Sequence, residues 1–174
     1  MTVMPGRGEL LLVLDFDGVL HHENVRWDKD RGLYLGAPAR YSLFQHAQLL
    51  AEVLAPHPEV LIVLSTSWVR MFGFIETAQR LPEALRDRTI GATWSPEMQD
   101  LGDSLAAMPR GLQVLRDVQL RQPRDWLAVD DDLVGWPEAH LHKVVQSDPY
   151  EGISASPVLD ELKMKLAAMC AGGA

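Results

Sequence analysis

The sequence contains almost no cysteine, no long apolar run and fewer basic than acidic residues. The single cysteine, Cys170, cannot form a disulfide within the chain, so we expect a reducing compartment. No apolar stretch approaches the roughly 20 residues that a membrane-spanning helix needs. The N-terminal sequence MTVMPGRGELLLVLD lacks the cleavage site of a signal peptide, because its apolar stretch ends in an acid. We therefore expect a soluble, cytoplasmic protein with no membrane partner.

Basic charge is scarce. The chain has 16 Lys and Arg residues against 24 Asp and Glu residues, a formal net charge of −8 and a pI of about 5.1. Nucleic-acid-binding proteins usually present a basic face, so this charge disfavours such a partner without excluding a local basic cleft. A length of 174 residues, 47% of them apolar, predicts one domain over residues 1–174, with flexible ends at 1–8 and 170–174.

Short apolar runs alternate with amphipathic stretches along the chain. Near-continuous apolar runs predict strands at 9–15, 59–65 and 125–131, with weaker candidates at 88–93 and 142–147. Helical periodicity predicts helices at 38–55, 68–81, 110–120 and 156–169. This alternation predicts an α/β fold, a Rossmann-like three-layer sandwich around a central, mostly parallel sheet. Ligands of such sheets bind beyond the carboxyl ends of the strands.

Polar residues follow each of the three strongest predicted strands. The three sets are Asp15 and Asp17; Ser65, Thr66 and Ser67; and Asp130, Asp131 and Asp132. In a parallel sheet these ends share one edge, and two carboxylates about 4 Å apart repel by roughly 4 kcal/mol at an effective dielectric near 20. Grouping Asp15, Asp17, Asp130 and Asp131 therefore favours a bound cation, and hard oxygen ligands with an open side suit Mg²⁺. The alternative is that each acidic cluster only caps a helix or a turn.

Three further features favour a bound phosphate. Gly18 directly follows Asp17 and lets the backbone approach an anion. Ser65 and Thr66 precede a predicted helix start, where free N–H groups favour phosphate, although Ser65 or Ser67 can instead serve only as an N-cap. Arg110, at the start of the 110–120 helix, can hold two phosphate oxygens, with Arg116 and Arg124 as alternatives. Trp68 is expected to pack in the core rather than to stack on a substrate.

These residue types together are typical of phosphoryl transfer. Asp15 would attack phosphorus and form an aspartyl-phosphate. Asp17 would protonate the leaving oxygen and then activate water. Mg²⁺, Ser65 and the arginine would spread the charge of the transferred group. The substrate would be a phosphorylated compound of unknown class.

The ordered set LDFDGVL, VLSTSW, an arginine before a helix, and VDDD resembles the haloacid dehalogenase-like (HAD) phosphohydrolase superfamily. The resemblance implies that Asp15 is the nucleophile and Asp17 the acid and base. It also implies that Mg²⁺ is held by Asp15, the backbone carbonyl of Asp17 and an acid from the triplet 130–132, with Asp130 and Asp131 matching the usual doublet. LDFDGVLH, STSW and DDD are similar to a capless branch, some of whose members are HAD domains of RNA-repair proteins.

The spacing of the motifs leaves no room for a large cap domain. There are 47 residues between Asp17 and Ser65 and 44 between Ser65 and Arg110, and each interval must already hold core elements. The site is therefore expected to be open, screened only by a short flap hairpin at about 19–37. His21 and His22 in this flap can contact a substrate, but we expect exposed hairpin positions. Zinc is not expected, because the six histidines and one cysteine show no paired ligand spacing.

Three functional hypotheses remain open at this point. The first is a Mg²⁺-dependent phosphatase with an aspartate nucleophile. The second is a polynucleotide-end phosphatase of nucleic-acid repair, in which a groove would be lined by the basic residues Arg70, Arg110, Arg116, Arg121 and Arg124. The third is a non-catalytic module that binds Mg²⁺ or phosphate and interacts with a partner.

Overall fold

The computed structural model describes residues 4–95 and 107–172, which form an α/β sandwich. The central sheet contains β1 (Leu10–Leu14), β4 (Val60–Leu64), β5 (Thr89–Ala92), β6 (Asp125–Asp130) and β7 (Val144–Gln146), and a separate hairpin contains β2 (Val25–Asp28) and β3 (Gly32–Leu35). The helices are α1 (Ala47–Leu54), α2 (Trp68–Phe72), α3 (Phe74–Ala78), α4 (Glu83–Arg86), α5 (Arg110–Arg121), a 3₁₀ helix (Glu138–Lys143) and α6 (Ser156–Ala171).

The central sheet has the strand order β5-β4-β1-β6-β7, and all of its neighbouring strands are parallel. β1 lies between β4 and β6, with Leu10 opposite both Val60 and Asp125. The carboxyl ends of these three strands therefore meet at one edge of the sheet, as predicted. This topology is what brings together polar residues that are far apart in sequence.

Both faces of the sheet are buried, which explains the continuous apolar run of β1. Leu10, Leu12 and Leu14 point to one face, where they belong to a core shared with α1 and α6. Leu11 and Val13 point to the other face, where the core includes residues of α5. Alternate side chains of β1 thus pack against the helices on the two faces of the sheet. The predicted three-layer sandwich is confirmed.

Two of the predicted helices are wrong in their extent. The helix predicted at 38–55 begins only at Ala47, because Phe44 has a φ of +58° and a left-handed residue cannot continue a right-handed helix. The helix predicted at 68–81 is divided into α2 and α3 at Gly73, which has a φ of +83° and is extended in ψ. Apolar periodicity does not reveal either break, since the flanking residues keep facing the core.

The flap consists of the antiparallel β2–β3 hairpin, and the described residues contain no large cap domain. Residues 96–106, which belong to the interval between Ser65 and Arg110, lie outside the described part. At the N-terminus, the Gly8 amide donates to the carbonyl of Gln122 at 3.0 Å, whereas 1–3 and 173–174 are not described, so the flexibility expected of the two ends stays a prediction. Among the helices described, none is both long and apolar enough to cross a bilayer.

Candidate active site

Three carboxylates meet at the carboxyl edge of the sheet. Asp15 follows β1, Asp130 ends β6, and Asp131 is the next residue. β1 and β6 are paired with Leu14 opposite Val129, so their ends lie side by side. One carboxylate oxygen from each acid lies within 4.8 Å of the other two. The structure thus places these three predicted metal ligands in one cluster, which we call the three-acid cluster.

Arg110 adds a positive charge to the three-acid cluster. Its Nη1 lies 3.2 Å from Oδ1 of Asp15 and also donates to the backbone carbonyl of Ser65. Arg110 is the first residue of α5, so the start of that helix aims the guanidinium at the sheet edge. Arg116 and Arg124, the alternatives from sequence, line neither of the two clefts described below. Arg110 therefore holds the position expected of the basic residue.

One arginine does not compensate the two buried carboxylates of Asp15 and Asp130 and the half-buried one of Asp131. Burial and then the charge of Asp15 raise the pKa of Asp130 to about 8, although Arg110 acts in the opposite direction. The same two causes raise the pKa of Asp131 to about 6. Burial also raises the pKa of Asp15 itself, against the effect of Arg110. The three-acid cluster consequently favours any further positive charge.

Gly18 makes room for this arrangement. Its φ is +69°, and a Cβ at this position would lie 2.3 Å from Oδ2 of Asp131, so only glycine fits. The carbonyl of Gly18 accepts a hydrogen bond of 2.6 Å from the hydroxyl of Ser147, which follows β7. The loop after β1 is thereby fixed to the sheet edge. A role of Gly18 in phosphate binding stays a prediction.

The second acid of the DxD pair has different partners from the first. Oδ1 of Asp17 accepts a hydrogen bond of 2.8 Å from Nε1 of Trp68 and lies 2.9 Å from Nε2 of His21. Its carboxylate is not part of the three-acid cluster, but it lines the same cleft. Trp68 is buried, as expected, and it also has this polar contact, which the sequence pattern did not indicate.

The expectation that His21 and His22 are exposed in the hairpin is wrong. The exposed fraction is 0% for His21 and 8% for His22. The backbone turns directly after Phe16, whose carbonyl accepts from the amide of Leu20 at 2.8 Å. This turn carries both histidines into the interior before the hairpin begins at Val25.

Of the residues that follow β4, Thr66 has a hydrogen-bond partner for its hydroxyl and Ser65 has none among the described residues. Oγ1 of Thr66 accepts a hydrogen bond of 3.4 Å from the amide of Trp68. Oγ of Ser65 is buried and has no partner among the described residues. The alternative that Ser65 or Ser67 caps the helix is therefore wrong. Ser67 occupies the N-cap position of α2, but its side chain makes no capping hydrogen bond. The amide of Trp68 bonds to Thr66 instead. The role of Ser65 in phosphate binding stays a prediction.

Two adjoining clefts open at this edge of the sheet. The first has a volume of about 450 Å³ and is lined by Asp15, Asp17, Glu23, Arg110, Asp130, Asp131, Asp132 and Pro149. The second has a volume of about 270 Å³ and is lined by Ser65, Thr66, Ser67, Arg70, Thr93, Trp94, Met108, Arg110, Gln113 and Asp132. Arg110 and Asp132 line both clefts, so the two clefts meet at these residues.

The basic residues do not line one groove, and that expectation is wrong. Arg121 is buried, with its Nε 2.7 Å from Oδ2 of Asp117. Arg124 directly precedes β6 and therefore lies at the opposite edge of the sheet. Of the five arginines considered, Arg70 and Arg110 line the second cleft.

A second group of potential metal ligands lies at the amino end of β4. His57, Glu59 and Cys170 each place one ligand atom within 4.8 Å of the others. Their positions in the sequence do not indicate this grouping, because Cys170 comes from α6. Burial, followed by the neighbouring Glu59, raises the pKa of the Cys170 thiol to about 11. We assign no function to this group.

A comparison with family models identifies the family of the chain. The model of the HAD domain in Swiss Army Knife RNA repair proteins matches residues 11–158. The chain belongs to this family. The similarity to HAD domains of RNA-repair proteins, predicted from four short motifs, is thereby confirmed over most of the chain. No curated protein and no solved structure matched the chain.

Membership of the HAD family indicates a phosphatase-type hydrolase or a repair function. HAD domains generally use Mg²⁺, and the residues fit that ion, because the three-acid cluster offers carboxylate oxygens with only one arginine to offset them. Asp132 does not join the cluster. Its Oδ1 accepts a hydrogen bond of 2.8 Å from the amide of Val134 and closes a turn. The acids available to a metal are therefore Asp15, Asp130 and Asp131.

Proposed function

We propose that the protein is a Mg²⁺-dependent phosphohydrolase that uses Asp15 as its nucleophile and passes through an aspartyl-phosphate. The observation that supports this proposal is the three-acid cluster, with Arg110 on Asp15 and the unpartnered hydroxyl of Ser65 beside the same guanidinium. The acidic charge and single cysteine fit the cytoplasmic location that we propose with it.

Asp15 is oriented for attack through one oxygen. Its Oδ1 accepts the Phe16 amide at 2.7 Å and lies 3.2 Å from Nη1 of Arg110. Its Oδ2 receives no hydrogen bond from the described residues, so this oxygen is the one that would form the bond to phosphorus. The bond from phosphorus to the leaving oxygen would break in the same step.

Asp17 would carry the protons of both steps. Its carboxyl group would give a proton to the leaving oxygen, and the resulting carboxylate would take a proton from water. That water would attack phosphorus, break the bond to Asp15 and release inorganic phosphate. This division of work accounts for two acids one residue apart.

The transferred phosphoryl group would be held by Arg110, Ser65 and Thr66. These three residues line the second cleft. When bound to Asp15, Asp130 and Asp131, Mg²⁺ would supply the positive charge that lets an anionic substrate approach three acids. The described residues contain no large cap, which leaves this edge accessible to large and small phosphate esters.

The experiment that tests the proposal compares wild type with Asp15→Asn on a broad panel of phosphate esters, with and without Mg²⁺. We expect Mg²⁺-dependent release of phosphate by wild type and its loss in Asp15→Asn. Mass spectrometry of acid-quenched wild type should find a phosphoryl adduct on the peptide that contains Asp15. A wild-type rate in Asp15→Asn would overturn the proposal.

Asp125→Asn is the matched control for this experiment. Asp125 begins the strand that Asp130 ends, so its carboxylate lies at the opposite edge, 2.5 Å from Nζ of Lys143. We expect Asp125→Asn to keep its turnover. If no ester is hydrolysed while Mg²⁺ still raises the melting temperature of wild type, the chain is a non-catalytic Mg²⁺-binding module instead.

A polynucleotide end is the second candidate substrate, and two observations favour it. The matching family model describes domains of RNA repair proteins. In addition, Arg70, an exposed cation, lines the second cleft beside Arg110 and four hydroxyl residues. Arg70 could contact a backbone phosphate next to the terminal one.

Arg70→Ala tests this substrate class. We expect its kcat/KM to fall about 10-fold for an end-phosphorylated oligoribonucleotide, with a weaker salt dependence, and to change little for p-nitrophenyl phosphate. Arg124→Ala, an exposed arginine at the opposite edge, is the control. Equal effects of Arg70→Ala on both substrates would count against the polynucleotide.

A further inference from the structure

The proposed function leaves one feature of the site unexplained, namely the two buried donors on Asp17. Asp17 carries the protons in that scheme, and its side chain remains 31% exposed at the cleft. His21 and Trp68, which bind its Oδ1, are 0% and 2% exposed. Both lie on the interior side of the carboxylate, so they have no direct access to a substrate in the cleft.

The surroundings of His21 determine which ring nitrogen carries the proton. Nδ1 of His21 accepts a hydrogen bond of 3.2 Å from the backbone amide of Phe44, so Nδ1 has no hydrogen. In the neutral ring, the proton then resides on Nε2, which donates to Oδ1 of Asp17 at 2.9 Å. Trp68 can only donate through its Nε1. Oδ1 of Asp17 therefore receives two N–H groups at once.

The backbone around Phe44 supports this orientation of His21. Phe44 has a φ of +58°, an uncommon conformation for a bulky residue, and this conformation coincides with an amide directed at His21. The Phe44 ring packs edge-on against His21 and Trp68, with centroid distances of 5.0 and 5.2 Å. The amide of His46 also bonds the carbonyl of Leu20 at 3.0 Å, which ties this segment to the turn before His21.

We propose that His21 and Trp68 are positioning residues, which bind Oδ1 of Asp17 and leave Oδ2 to carry the proton towards the leaving group. The inference rests on the proposed phosphohydrolase function. With Oδ1 accepting from two buried donors, a proton on Asp17 resides on Oδ2, the oxygen that receives no hydrogen bond from the described residues. Loss of either donor lets the carboxyl group rotate and distributes the proton over both oxygens.

The proposal predicts a dependence on the leaving group. An alkyl phosphate releases a strongly basic oxygen, which needs a proton as the bond breaks, whereas p-nitrophenyl phosphate releases a weakly basic one that does not. We therefore expect Trp68→Phe and His21→Leu to lower kcat/KM for glycerol phosphate about 10- to 100-fold. For p-nitrophenyl phosphate we expect a decrease below about 3-fold. kcat/KM is the suitable constant because it excludes the later attack of water, in which Asp17 also takes part.

Two comparisons separate positioning from packing. His21→Gln keeps an amide N–H that can reach Asp17, so it should restore part of the rate on glycerol phosphate that His21→Leu loses. Trp126→Phe replaces a buried tryptophan by a smaller ring in the core on the other face of the sheet. This variant should leave the ratio of the two kcat/KM values unchanged. If His21→Leu does not fold, the same two kcat/KM values are compared for Trp68→Phe, which keeps an aromatic ring at this position.

The ¹⁵N chemical shifts of His21 provide a readout that does not depend on activity. We expect an unprotonated Nδ1 and a protonated Nε2 at neutral pH. An equal loss on both substrates in active variants, or the opposite tautomer, would overturn the positioning role while the phosphohydrolase function stands. A wild type without any Mg²⁺-dependent hydrolysis would overturn the proposed function and this role with it.

Discussion

The protein contains two ion pairs of arginine and aspartate that differ in burial and in charge balance. Arg121 and Asp117 on α5 are 3% and 1% exposed, and Arg121 also donates to the carbonyls of Pro5 and Ala92. In this pair, one cation meets one acid. At the other end of the same helix, Arg110 meets Asp15, but two further acids stand beside them. The second arrangement has negative charge in excess.

The charged neighbours explain the difference between the two pairs. Burial raises the pKa of Asp117, and the hydrogen bond and charge of Arg121 and the charge of Arg116 oppose this effect. Burial also raises the pKa of Asp130, but there the next cause, the charge of Asp15, acts in the same direction. Excess buried charge is costly for the fold and is retained where a ligand compensates it. The imbalance, more than the presence of acids, marks the candidate site.

The largest effect on stability is expected from breaking the balanced pair. Arg121→Met would leave the Asp117 carboxylate buried without its cation and would free two backbone carbonyls. We expect the free energy of unfolding, measured by urea denaturation, to fall by about 4 kcal/mol. The double variant Arg121→Met/Asp117→Leu should recover part of this loss, since no charge then remains unpaired. A stable Arg121→Met single variant would contradict the structural role of the pair.

Removing the arginine of the unbalanced pair should instead affect turnover. Arg110→Ala is expected to lower kcat/KM about 100- to 1,000-fold, or roughly 3 kcal/mol of transition-state stabilisation, since a charged donor to the phosphoryl group is lost. The free energy of unfolding should change far less than in Arg121→Met. Arg116→Ala, two turns along the same helix, tests the alternative from sequence. A larger loss in Arg116→Ala than in Arg110→Ala would reverse the assignment.

The contrast between the two pairs also shows what could be predicted from sequence. Asp15, Ser65 and Asp130 were predictable because each ends an apolar strand, and parallel strands bring such ends to one edge. The position of Arg110 required only that the start of a helix face that edge. The fold class followed from the same alternation of strands and helices.

Other features depend on tertiary contacts that leave little trace in a local pattern. Burial of His21 depends on the turn after Phe16, and its contact with Asp17 was not predicted. The helix breaks at Phe44 and Gly73 do not alter apolar periodicity. Arg121 looks like a surface residue in sequence, yet it is buried because Gly91 on β5 leaves space, where a Cβ would lie 2.9 Å from Nη2 of the arginine. Such positions become predictable only once the packing is known.

Removing one acid of the three-acid cluster tests the charge imbalance that distinguishes it from the Arg121–Asp117 pair. Asp130→Asn removes an acid that ionises readily in the unfolded chain but only with difficulty when it is buried beside Asp15, so it should raise the unfolding free energy of EDTA-treated protein by about 2 kcal/mol. The same variant should lose most of the stabilisation that Mg²⁺ gives wild type. Thermal unfolding with and without Mg²⁺ measures both effects. A less stable metal-free variant would show that Asp130 supports the fold rather than the metal.

The last prediction concerns the slope of stability against pH in the EDTA-treated wild type. The folded-state pKa of Asp130 is about 8 and that of Asp131 about 6, both above the ordinary value of 3.8. Between pH 3.8 and the folded-state pKa of each acid, the folded chain therefore binds more protons than the unfolded chain. The free energy of unfolding falls as the pH rises through this range, by up to about 1.4 kcal/mol per pH unit for each group. Mg²⁺, which binds the deprotonated acids, should oppose this loss most strongly near pH 8. Asp130→Asn should flatten the slope, whereas Asp125→Asn should keep it, and an unchanged slope in Asp130→Asn would assign the titration to other groups.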